Sequence, residues 1–295
     1  MTKVRNHKEH YESPTPMWAS KTPHMDDIFG VLEGLDKQKV TNYVIKQVIK
    51  HKVPMLTFWK QGQIYKVALP YEWWEKYFLV AKKKKDTADE TYDLRSEFRL
   101  HQAVYESVDH PQVQVPELFG YQELPNGEQY IVMEFAPGQT IYTLLLNKVT
   151  EKNKPERPAA QNDREADTNI VKIFGVEKAK HMLSKIETTP YIYSHTKWMN
   201  LFTKQQAEKI KKNIREFLSE MHAKWIYHRD LWGSIRNMLL CPDGKIYIID
   251  FGKAIKKHHT KNEEEIYKEK TEYGTNECFQ DEEILDIIDA YTEKD

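Results

Sequence analysis

Asp230, Asn237 and Asp250 stand in the stretch Y-H-R-D-L-W-G-S-I-R-N-M-L-L-C-P-D-G-K-I-Y-I-I-D-F-G, and their types and order could do chemistry. A carboxylate comes first, then an amide, then a short apolar run, Met238 to Leu240. A Pro242-Asp243-Gly244 turn leads into a second apolar run, Ile246 to Ile249, that ends in another carboxylate. Two short strands joined by a tight turn would bring Asn237 and Asp250 together at the base of a hairpin. An amide oxygen and a carboxylate are hard ligands suited to Mg²⁺, and a second carboxylate nearby can receive the proton of an attacking hydroxyl. Phosphoryl transfer is one chemistry that needs such a set.

The same residues, His228-Arg229-Asp230, Asn237 and Asp250-Phe251-Gly252, resemble the H-R-D…N catalytic loop and D-F-G motif of protein kinases. The resemblance implies ATP as donor and Mg²⁺ or Mn²⁺ as the metal. It makes Asp230 the proton acceptor, with Arg229 beside it, and Asn237 and Asp250 the metal ligands. Asn237 follows Asp230 by seven residues, where the family's Asn follows by five; here that position is Ile235. Assigning Asn237 rests on the apolar strand directly after it and implies a two-residue enlargement around Gly233-Ser234. Two alternatives stay open: Asn237 as a plain turn residue, and Ser234 at the metal.

A kinase also needs a strand lysine, a helix glutamate and a hinge. Tyr77 to Ala81 is an apolar run ending in Lys82-Lys83-Lys84-Lys85 and resembles the family's V-A-x-K strand. That favours Lys83, on the same strand face as Ala81, with Lys82 the alternative because a one-residue shift flips the face. Glu97, in the expected helix Arg95 to Tyr105, is the ion-pair partner, with Glu90 and Glu106 as competitors. Tyr130 to Gly138 resembles the V-M-E-[YF]-x-x-G of the family, which implies Met133 as gatekeeper and the backbone of Glu134 and Ala136 on the adenine edge. Where the family has G-x-G-x-x-G, this chain has only Gly62; Gly62, Val67, Ala81 and Lys82 complete the expected nucleotide-facing set.

Bulk properties narrow the setting. The 295 residues carry 44 basic and 45 acidic side chains, a net charge of −1, so no global field argues for nucleic acid or a membrane surface. Cys241 and Cys278 are too few for a disulfide scaffold or a zinc site and suit a reducing compartment. No apolar run approaches the roughly 18 residues of a membrane span, and the start M-T-K-V-R-N-H-K lacks a signal core. The expectation is a cytoplasmic protein whose partners are ATP and a protein substrate.

The expected organisation is a leader at 1–24, a helical extension at 25–51, an N-terminal lobe at 52–138 and a C-terminal lobe at 139–295. Apolar spacing predicts two short helices before residue 52, the second on Val40, Val44, Ile45, Val48 and Ile49. The charged stretch 147–167 reads as a surface insertion or linker, and 168–200 as a further helix. Thr203-x-x-Gln206 is a capping box for a helix with the stripe Ala207, Ile210, Ile214, Phe217, Leu218 and Met221. After D-F-G only 43 residues remain, including a closing helix at 281–291. Gly274-Thr275-Asn276-Glu277 with Glu282 loosely resembles the end of an activation segment, and Thr271-Glu272-Tyr273 a phosphorylated lip.

The whole resembles an α+β, two-lobed protein-kinase-like fold with a strand-rich N-lobe and a reduced helical C-lobe, as in RIO and haspin-like or compact bacterial and viral kinases. It implies a serine/threonine protein kinase, and Arg229 points to the protein-kinase branch. Its rivals are a small-molecule kinase of aminoglycoside or choline type and a pseudokinase serving as a binding module.

Overall fold

Two-sided burial organises the N-terminal half. The computed structural model describes residues 36–51, 62–68, 78–84, 92–156, 158–161, 163–176, 178, 200–231, 235–257 and 274–293. Strands β1 (Gly62–Ala68), β2 (Phe78–Lys84), β4 (Leu118–Glu123) and β5 (Gln129–Glu134) form an antiparallel sheet in the order β1-β2-β5-β4. On one face Tyr65, Val67, Leu79, Ala81, Tyr130 and Val132 meet Val40, Val44, Ile45 and Val48 of helix α1 (Lys37–His51). On the other, Val80, Leu118, Ile131 and Met133 meet Tyr92, Leu94 and Phe98 at the start of helix α2 (Leu94–Ser107). Strands covered on both faces are apolar at successive positions, so their sequences show little alternation. Helix α2 begins where the Asp93 carboxylate accepts the Arg95 and Ser96 N–H groups, both at 3.1 Å.

The C-terminal half is built on helices α3 (Ile141–Asn153), α4 (Asp163–Phe174), α5 (Lys204–Ala223) and α6 (Gly274–Ala290). The capping box forms: Thr203 Oγ1 accepts the Gln206 N–H at 3.2 Å and Gln206 Oε1 accepts the Thr203 N–H at 3.0 Å. Of the expected stripe, Ala207, Ile214, Phe217, Leu218 and Met221 are core residues and Ile210 packs against them. Each such aliphatic or aromatic side chain contributes about 1.5–3 kcal/mol by leaving water.

Six short strands complete the architecture of the described residues. β3 (Val113–Gln114), β6 (Gln139–Thr140), β8 (Met238–Leu240) and β9 (Ile246–Ile248) form a sheet in the order β3-β9-β8-β6, with β3 parallel to β9. β7 (Ile226–Tyr227) pairs with β10 (Ile255–Lys256). The β8–β9 hairpin turns at Gly244, whose φ of +85° is the left-handed conformation a side chain resists.

The stretch 147–167 is not a surface insertion. It holds the end of α3 and the start of α4, with Val149, Ala160 and Ala166 in the main core. Asn147 replaces apolar packing there by bonding the backbone of Ala160 through both ends of its amide. The closing helix starts earlier than expected, at Gly274, so residues 274–277 and Glu282 lie in a helix. The leader, the first predicted helix, residues 60–61, 179–199 and the 271–273 lip lie outside the described residues. Among the described residues no helix is long and apolar enough to cross a membrane.

Candidate active site

The β8–β9 hairpin sets the first part of the site. Its base is closed by the Ile249 N–H donating to the Asn237 carbonyl at 3.0 Å, which brings the two ends together just before Asp250. Asn237 is buried, and its Nδ2 lies 3.1 Å from the Asp230 carbonyl and 3.3 Å from Asp230 Oδ2. The amide nitrogen is thereby spent on the loop, and the amide oxygen is left as the acceptor. Residues 232–234, with Ser234 and the expected enlargement, lie outside the described residues.

The loop carrying Asp230 is held from below. Arg229 has a φ of +64°, a conformation that costs a non-glycine residue about 1–3 kcal/mol unless its surroundings impose it. Asp281 on α6 imposes it: Oδ1 accepts the Arg229 N–H at 2.7 Å and Oδ2 the His228 N–H at 2.9 Å. His222 Nε2 lies 2.9 Å from the same Oδ2. Asp281 is fully buried. Sequence reasoning missed it, although an acid i+3, i+4 and i+7 from Ile284, Leu285 and Ile288 is an acid on an apolar stripe.

Phe251 is buried between two histidine rings, with centroids 5.0 Å from His101 and 4.8 Å from His228. His101 Nε2 is 2.7 Å from the Pro116 carbonyl and His228 Nε2 is 3.0 Å from the Ile249 carbonyl, so each donates from that nitrogen. Burial pushes the His101 imidazole down to about 4, which keeps it neutral. The column ties α2 to His228, two residues before Asp230. His101 was not expected from the sequence.

Across the cleft the strand lysine is Lys82. Its Nζ is 2.6 and 2.7 Å from the two Glu97 carboxylate oxygens and 2.7 Å from Asp250 Oδ1. Burial alone would depress the ammonium, but Asp250 and Glu97 outweigh it and hold Lys82 well above the ordinary lysine value. Burial raises the Glu97 carboxyl, against the pull of Lys82. Tyr92 donates its hydroxyl to Glu97 Oε2 at 2.5 Å. Gly252 fits beneath: a Cβ there would come within 2.9 Å of Tyr92 Cε2 and 3.3 Å of Glu97 Oε2.

Three expected positions are corrected by strand alternation. Lys83 turns to the other face and pairs with Glu128, and Ala81 and Val67 pack under α1. Directly paired residues share a face, so the cleft side of β1 and β2 carries Ile64 opposite Lys82 and Lys66 opposite Val80. Gly62 opens β1 opposite Lys84. Lys66, unforeseen, has its Nζ 4.1 Å from the centre of the Phe135 ring, and burial lowers its ammonium to about 8.

At the hinge, Met133 is buried on the α2 side of the sheet. The Glu134 N–H donates to the Glu117 carbonyl at 2.8 Å. The Glu134 carboxyl accepts from the Glu117 N–H at 3.1 Å and the Tyr247 hydroxyl at 3.3 Å. Its burial, with the Glu117 charge nearby, raises it to about 7. Ala136 packs on Cys241 and Tyr247 of the hairpin side.

Among the described residues no three His, Cys, Asp or Glu side chains cluster as a closed metal site. Mg²⁺ does not ask for one, because it takes one or two protein oxygens and completes its shell with phosphate and water. The amide oxygen of Asn237 and the carboxylate of Asp250 suit that donor set.

No curated protein matches the chain in sequence. Among solved structures, the Cydia pomonella granulovirus kinase PK-1 aligns with a TM-score of 0.39 and 13% identity over 73% of this chain. The chain spans 57% of the length of that structure. The decisive match is to a family: residues 60–292, from β1 through the helix that carries Asp281, fit the protein tyrosine and serine/threonine kinase family, to which this chain belongs.

Proposed function

We propose that this chain is an ATP-dependent protein kinase that phosphorylates serine or threonine hydroxyls. The observation that carries the reading is the chain of contacts Glu97–Lys82–Asp250, which joins α2, the N-terminal sheet and the D-F-G turn through one ammonium. In that arrangement Lys82 binds the α- and β-phosphates and Glu97 positions it. Met133 and the backbone of Glu134 and Ala136 border the adenine. Asn237 and Asp250 would hold Mg²⁺ or Mn²⁺, which supplies charge neutralisation along the β- and γ-phosphates. Asp230 takes the hydroxyl proton of the acceptor as its oxygen bonds to the γ-phosphorus and ADP departs. The buried stack of Phe251 between His101 and His228 supports a D-F-G turn already seated under α2.

The acceptor class is tested by incubating the purified protein with γ-labelled ATP and Mg²⁺. Parallel reactions contain a generic protein acceptor, a peptide library, or an aminoglycoside and choline. Label recovered as phosphoserine or phosphothreonine supports the proposal. Label on tyrosine alone, or on the small molecules alone, overturns the acceptor assignment.

A further inference from the structure

The three-residue turn after Asp250 carries a cation that the scheme above does not use. Lys253 ends the 3₁₀ turn Phe251–Lys253 and places its Nζ 2.8 Å from Asp230 Oδ1. Asp230 Oδ2 is approached by the Asn237 amide at 3.3 Å, so the two carboxylate oxygens face different partners. Two other cations among the described residues, Lys82 and Arg236, are committed elsewhere. Lys82 is held by Glu97 and Asp250, and the Arg236 guanidinium sits 3.7 Å over the Tyr142 ring on α3. The Lys253 side chain is 58% exposed against 15% for Asp230. An ion pair that open contributes only about 0–1 kcal/mol to stability, so stability does not account for an ammonium aimed at this carboxylate.

We propose that Lys253 is a catalytic residue of the phosphoryl transfer, the cation that passes from the proton-accepting carboxylate to the transferred group; this rests on the kinase reading. As the acceptor oxygen bonds to the γ-phosphorus, the bond from that phosphorus to the bridging β-oxygen breaks and ADP keeps the electron pair. The hydroxyl proton goes to Asp230. A protonated Asp230 no longer holds the ammonium, while the phosphoryl oxygens keep their negative charge. Lys253 can then turn to them on an exposed, flexible stem. Positioning on the turn next to Asp250 keeps that ammonium close to the metal-binding end of the site throughout.

The test compares Lys253→Met, Lys253→Arg and, as a charge-matched control, Lys256→Met on exposed β10. Single-turnover transfer from γ-labelled ATP should fall about 10²-fold or more in Lys253→Met, with the KM for ATP nearly unchanged. Lys253→Arg should recover most of the loss, and Lys256→Met should match the wild type. A second readout needs no turnover: binding of Mg²⁺–ADP with and without aluminium fluoride, which mimics the phosphoryl group in flight. Fluoride should tighten binding in the wild type and not in Lys253→Met, while both bind Mg²⁺–ADP alike. Full turnover, a loss confined to KM, or an undiminished fluoride effect in Lys253→Met overturns the role of Lys253 and leaves the kinase reading standing. A wild-type protein that neither binds Mg²⁺–ADP nor transfers phosphate overturns both.

Discussion

The Lys82 ammonium contacts both oxygens of the Glu97 carboxylate, at 2.6 and 2.7 Å, with each side chain only 2% exposed. A buried pair of this kind is costly to break from one side, because the surviving charge is stranded. It also fixes which lysine of the run 82–85 faces Glu97 and Asp250. Lys82→Met should reduce phosphate transfer by at least about 10²-fold. Lys83→Met removes contacts with Glu128 and the Tyr130 ring, on the opposite face, and should stay close to wild type. Initial rates of the two purified variants, side by side, decide the register; a dead Lys83→Met with an active Lys82→Met would reverse it.

Asp281 anchors the loop carrying Asp230 through two backbone N–H groups and His222. Asp281→Ala leaves those donors buried and unpaired, so unfolding by urea should show a loss of about 2–4 kcal/mol. Asp281→Asn keeps one good acceptor and should lose less. Equal stability of wild type and Asp281→Ala would mean that the strained Arg229 backbone is held by something else.

Glu134 should make stability fall as pH rises. Its native carboxyl holds a proton up to about 7, whereas the unfolded chain releases it near the usual value of about 4.3. Between those values the native state binds more protons than the unfolded state. Raising pH across the window therefore removes about 4 kcal/mol. His101, depressed to about 4, acts in the opposite sense below about 6.5, so the wild-type curve blends the two. The comparison is thus with Glu134→Gln, which keeps an acceptor for the Tyr247 hydroxyl. Its stability relative to wild type should climb between about pH 5 and pH 8; a constant difference contradicts the assignment.

Tyr92→Phe deletes the hydroxyl that donates to Glu97 Oε2 and leaves the ring against Gly252. With the ring retained, the expected loss is about 1.5–3 kcal/mol of stability, the range for a hydrogen bond to a charged group. Thermal unfolding with and without Mg²⁺–ATP checks it. An unchanged midpoint would mean that Lys82 alone orients Glu97.

What could be read from the sequence was local. Asp230, Asn237 and Asp250 are strung on a hairpin whose turn, Pro242-Asp243-Gly244, is written in consecutive residues, and the Thr203–Gln206 cap spans four. The face of β2 was not legible, because a strand buried under α1 on one side and against α2 on the other shows no apolar–polar period to fix Lys82 against Lys83. Asp281 and His101 do their work through partners far along the chain, His228 and Arg229 for one and Phe251 for the other. The 147–167 stretch misled because charges such as Lys148, Glu151 and Lys152 lie on an exposed helix face, while small residues such as Ala160 and Ala166 are buried.

The most direct test of the central claim is Asp250→Ala. Its carboxylate would hold the metal, and its loss leaves Lys82 still paired with Glu97, so the fold should survive, as checked by circular dichroism. Wild-type protein should transfer label from γ-labelled ATP to a protein acceptor in the presence of Mg²⁺. The folded variant should lose at least about 10²-fold of that rate. An Asp250→Ala protein that transfers phosphate at the wild-type rate would contradict the account.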